Sequence, residues 1–78
     1  MFLRFKTFND ATIYVNPFTV ETIMKEDETE SRISFLGSQD SEVVVKGELE
    51  TVVARISHEA EKMLKHLGIN SVENLTIN

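Results

Sequence analysis

The stretch Glu48–Leu67, ELETVVARISHEAEKMLKHL, decides the fold. At about 100° per residue, Leu49, Val52, Val53, Ile56, Ala60, Met63, Leu64 and Leu67 fall within an arc of about 120°. His58 lies opposite that arc, and Arg55, Glu59, Lys62 and Lys65 also lie outside it. Gly47 precedes the stretch, and Gly68 follows where a left-handed residue ends a helix. Glu48 and Glu50 occupy the positive end of the helix dipole, and Lys62, Lys65 and His66 the negative end. A helix over 48–67 spans about 30 Å. One apolar stripe of that length needs a surface to cover, and everything before it reads as strand.

Working outward, residues 42–46 form a short, mostly apolar run, Glu42-Val43-Val44-Val45-Lys46, as expected of a strand covered on both faces. Residues 31–36 alternate, with Ile33 and Phe35 on one face and Arg32 and Ser34 on the other. Between these two, Gly37-Ser38-Gln39-Asp40 is a loop. Glu26-Asp27-Glu28-Thr29-Glu30 is an acidic turn. Residues 19–26 read as strand, but Val20 and Ile23 break the two-residue period. A bulge or a helical turn near Pro17–Glu21 would bring both to one core. Residues 2–8 and 12–16 form a hairpin about Asn9-Asp10-Ala11, with Leu3, Phe5, Thr7, Ile13 and Val15 inward. The tail, 69–78, is expected to be a strand or extended.

The expected fold is therefore α+β. A small antiparallel five-stranded twisted sheet, half-barrel-like, is covered by one C-terminal amphipathic helix. The short connections make sequential strands antiparallel neighbours. The chain has 78 residues, which is one domain spanning 1–78. So small a domain buries only about 60% of its unfolded surface, and it has no cysteine to staple it. Association with a protein partner or with itself is the remaining support.

Net charge is −5, from 13 acidic and 8 basic residues. That opposes general binding to nucleic acid or to an anionic membrane, which excess Lys and Arg drive. No run approaches the roughly 18 apolar residues of a membrane span, and Arg4 and Lys6 interrupt any leader-like start. A cytoplasmic location is expected.

No chemistry-bearing motif stands out. Ser57-His58-Glu59 contains triad residue types, but neighbours on a helix point about 100° apart and cannot meet. The two histidines are poorly disposed for a metal. The acidic turn lacks the glycine and the bidentate spacing of a calcium loop. Glu21 is only a loose acid–base candidate, and none of the three glycines falls in a phosphate loop. Neither a cofactor, a metal nor an enzyme activity is expected.

What remains is the outer face of the sheet. By parity Arg4, Lys6 and Arg32 lie there with Phe2, Phe8 and Tyr14. Arg4, Lys6, Tyr14 and Arg32 are the candidate partner- or ligand-binding residues. A basic strip with aromatics on an acidic protein suits an acidic partner surface or an anionic metabolite or nucleotide. The expected function is a small non-catalytic interaction module, acting as a homo-oligomer or with a protein partner. A small-ligand binder or sequestering protein, such as phages encode, is the second expectation.

The order of features also resembles a known family. Leu3-x-Phe5, the Asn9-Asp10 turn, Ile13-x-Val15-Asn16, Val20-x-x-Ile23, the acidic turn with Thr29, Ile33-x-Phe35, Val43-Val44-Val45-Lys46 and a Glu-rich helix start resemble the small flagellar FlbD-like proteins over residues 3–60. The family's Asn-Gly turns are Asn9-Asp10 and Gly37-Ser38 here, and its Pro-Asp-Thr turn is Asp27-Glu28-Thr29. The resemblance implies a bacterial protein linked to flagellar motility, with no catalytic residues.

Overall fold

The computed structural model describes residues 2–37 and 41–68, so the tail at 69–78 and loop positions 38–40 lie outside the described residues. Strands β1 (Leu3–Lys6) and β2 (Thr12–Val15) lead to a 3-10 turn at Pro17–Thr19. Then come β3 (Val20–Lys25), β4 (Glu30–Phe35), β5 (Glu42–Lys46) and helix α1 (Leu49–His66). The fold is α+β, with every strand pair antiparallel.

The expected single five-stranded sheet is replaced by two sheets, β1-β2 and β3-β4-β5. One bridge, Thr7 with Val45, joins them, supported by the Phe8 N–H donating to the Val44 carbonyl at 3.1 Å. The reason is where β5 stops. Continuing the bridge's antiparallel register would set Lys6 against Lys46 and Phe5 against Gly47. Gly47 turns the chain away instead, at φ 137°, a conformation side-chain-bearing residues rarely adopt. A Cβ at Gly47 would come within 2.9 Å of Val52 Cγ2. The turn is tied down on both sides. The Gly47 N–H donates to the Thr29 carbonyl at 2.8 Å, and the buried Ser31 hydroxyl donates to the Gly47 carbonyl at 2.8 Å. Most of β1 is therefore left without a strand neighbour on the β5 side.

The irregularity near Pro17 takes both expected forms. Asn16 caps the 3-10 turn, its side chain accepting from the Phe18 N–H at 3.0 Å, and β3 shifts register between Val20 and Thr22. The core is Phe5, Val15, Ile33, Val45, Val52 and Ile56. Leu3, Ile13, Val20, Ile23, Phe35 and Val43 pack around it. Each fully buried aliphatic side chain contributes about 1.5–3 kcal/mol. Along the helix Val52, Ile56 and Leu64 are buried, while Leu49, Ala60 and Met63 are half-buried. Two stripe residues depart from expectation: Val53 is 38% exposed and Leu67 71%. Leu67 lies past the last residue of α1, at its C-terminal cap. No described helix is long and apolar enough to cross a membrane.

Candidate functional site

The β1–β2 register sets Arg4 opposite Tyr14 and Lys6 opposite Thr12, all on the outer face. Tyr14 is 66% exposed. Arg32 stands elsewhere. It lies on β4, between Met24 of β3 and Val44 of β5. Its Nε contacts Glu26 Oε1 at 2.9 Å, and its Nη1 contacts Glu42 Oε1 at 3.3 Å. Those carboxylates, Glu26 foremost, hold the guanidinium more firmly protonated than usual. With Phe8, Glu30 and Val43, the three ion-paired residues line their own concavity. The expected continuous strip of Arg4, Lys6 and Arg32 is thus corrected. Arg32 is balanced by two acids and lines a different surface.

Two cations that the sequence reading had not grouped with Arg4 and Lys6 join them. Arg4, Phe5, Lys6, Lys46 and Arg55 line a groove of about 540 Å³, and its described lining carries no carboxylate. Four of the eight Lys and Arg residues therefore meet at one place on a protein of net charge −5. The groove occupies the space that β5 leaves beside β1. Arg55 reaches across it from the helix. Its Nη2 donates to the Arg4 carbonyl at 2.8 Å, and its guanidinium lies 4.3 Å above the centre of the Phe5 ring. One contact satisfies an acceptor on the open strand edge; the other is a cation–π contact that holds the charge in place.

Lys46 projects from the end of β5, and its ammonium donates to the Asp10 carboxylate. Asp10 sits in the β1–β2 turn at φ 67°, with its N–H donating to the Thr7 carbonyl at 3.0 Å. The hydrogen bond from Lys46 and the Lys46 charge hold the Asp10 carboxyl below the usual range, with a smaller push from Lys6. Among the described ion pairs, none engages Arg4 or Lys6.

The remaining sequence candidates gain nothing from the fold. Ser57, His58 and Glu21 are exposed. Among the described residues, no group of three or more His, Asp or Glu side chains gathers as a metal site would require. In the acidic turn, Asp27 accepts from the Thr29 N–H at 2.8 Å and the Thr29 hydroxyl at 3.2 Å, and Lys25 pairs with Glu28 at 2.8 Å. These are a turn's own hydrogen bonds.

A signal for Lys46 was present in the alternation. With Val45 inward, Lys46 faces outward, as Lys6 does on β1. Arg55 was harder to find. It precedes Ile56, so it flanks the buried stripe, and only the end of β5 at Gly47 gives it a gap to fill. No family model, no curated protein and no solved structure matches the chain.

Proposed function

We propose that this protein is a small, non-catalytic interaction module whose basic groove docks an acidic segment of a protein partner. The concentration of Arg4, Lys6, Lys46 and Arg55 in one groove carries the reading. Four cations this close repel one another, and an anionic occupant relieves that repulsion. Phe2 and Tyr14, 63% and 66% exposed, add apolar area on the same hairpin, and aromatic and Arg side chains are enriched at contact surfaces.

A second copy of this chain fits the groove less well. In its most acidic turn Glu26 already pairs with Arg32 and Glu28 with Lys25, so those carboxylates would have to exchange partners to enter the groove. A small anionic metabolite fits the volume, but ligand pockets are mostly apolar with few polar groups, and this lining is mostly charge. The resemblance to the FlbD-like family would place such a module in flagellar motility; no match bears on that.

Calorimetric titration with a short poly-glutamate peptide tests the proposal, with poly-glutamine and inorganic pyrophosphate as comparisons. The glutamate peptide binds and poly-glutamine does not. Binding weakens as salt shortens the screening length to about 8 Å near physiological ionic strength. Binding of pyrophosphate alone would favour the small-ligand reading, and no binding of either anion would remove both. Light scattering of the unliganded protein shows whether copies associate with each other.

A further inference from the structure

We infer that Asp10 is an internal competitor for the groove: it holds Lys46 in the free protein and releases it when a partner's carboxylate arrives. This rests on the reading of the groove as an anion-docking surface. Beside the isolated Thr7–Val45 bridge, Lys6 and Lys46 both line the one groove. Like charges gathered in one groove repel each other. Asp10 answers them, hydrogen-bonded to Lys46 and within the electrostatic reach of Lys6, while Glu30, cross-strand from Lys46, acts on it through charge alone.

The chemistry of that answer is the chemistry of the proposed ligand. A carboxylate on Lys46 is what a glutamate-rich segment would supply. The Asp10–Lys46 contact is also of the displaceable kind. The two side chains are 76% and 47% exposed, and exposed pairs hold only weakly against water. Exchange leaves both partners charged and both hydrated or paired, so its cost is small. Asp10 thus keeps the groove from standing fully uncompensated when empty, and it weakens the binding of an arriving anion modestly.

The backbone makes the test clean. Asp10 has φ 67°, a conformation that asparagine and glycine tolerate better than other residues. Asp10→Asn and Asp10→Gly therefore keep the turn while removing the charge. Glu28→Gln, in the acidic turn, changes net charge equally without touching the groove. Each variant is checked for a native melting transition and then titrated with the poly-glutamate peptide at neutral pH.

Both Asp10 variants bind about two- to fivefold tighter than the unaltered protein, the range an exposed ion pair spans. Glu28→Gln does not. The gain disappears when Lys46→Gln is added to Asp10→Asn. Equal affinity with and without Asp10 overturns the competitor while leaving the groove standing. A gain shared by Glu28→Gln assigns the effect to net charge and overturns it as well. A gain that survives Lys46→Gln overturns the exchange on Lys46. Absence of peptide binding in every variant overturns the groove reading, and the competitor with it.

Discussion

Arg4 and Arg32 both alternate with core residues on outward strand faces, yet their surroundings are opposite. Arg32 lies where β4 runs between β3 and β5, so Glu26 and Glu42 reach it from either side. Arg4 lies where β5 has ended, so its open side receives Arg55 and the nearby Lys46 instead of carboxylates. Parity along a strand fixes which face a charge is on. The neighbouring strand fixes whether that charge is neutralised. The two regions differ because one has a neighbour and the other has a gap.

The largest expected effect comes from the residue that joins the two regions. Val45 bridges to Thr7 and is fully buried. Val45→Asp should unfold the protein, because a carboxylate there costs several kcal/mol against a total of about 5–15. Far-UV circular dichroism and melting read the outcome. A variant that keeps a cooperative transition would mean that the sheets are stable apart.

Next in size is Arg55→Ala. It removes the donor to the Arg4 carbonyl and the contact above Phe5. The loss is about 1 kcal/mol, which lowers Tm by about 4–8 °C in a domain this small. Arg32→Gln should lower Tm less, because its pairs are exposed ones. The reverse order would mean that the groove is only solvated surface and that the Arg32 cluster is structural.

The α+β class, the helix and its buried centre were legible, because a period near 3.6 against a period of 2 is a strong signal. Val52, Ile56 and Leu64 are buried, and His58 opposite them is exposed. The break at Pro17–Glu21 was legible too, since Val20 and Ile23 cannot both face inward on a regular strand. The division into two sheets was not. It depends on Gly47 ending β5 before β1 is covered, which is a matter of relative strand length. The candidate site was half legible. Alternation put Arg4, Lys6 and Tyr14 outward, but it could not supply Glu26 and Glu42 beside Arg32 or bring Arg55 to Phe5. Those contacts join separate segments of the chain, which alternation along one strand does not relate.

The smallest expected effect is in acid. Asp10 and Asp27 both have carboxyls held below their usual value, by Lys46 and by the Thr29 N–H respectively. A lowered folded value stabilises the fold above the unfolded value, near about 4, and the contribution is lost as pH falls through the folded value. Glu30 acts in the opposite sense, its carboxyl raised by partial burial and then by the Asp27 charge. Asp10→Asn should therefore narrow the difference in Tm between neutral and acid solution. An unchanged difference would mean that Lys46 and Asp10 do not hold each other in solution.

The most direct measurement is a titration of two charge variants with the same poly-glutamate peptide. One variant is Arg4→Glu with Lys6→Glu, in the groove; the other is Arg32→Gln, in the paired cluster. Neither Arg4 nor Lys6 faces the core, so both proteins should melt within a few degrees of the unaltered one. The groove variant should lose more than about tenfold in affinity, because it sets like charges against the peptide, while Arg32→Gln stays within about twofold. Undiminished binding by the groove variant, or a larger loss on changing Arg32, would contradict the account.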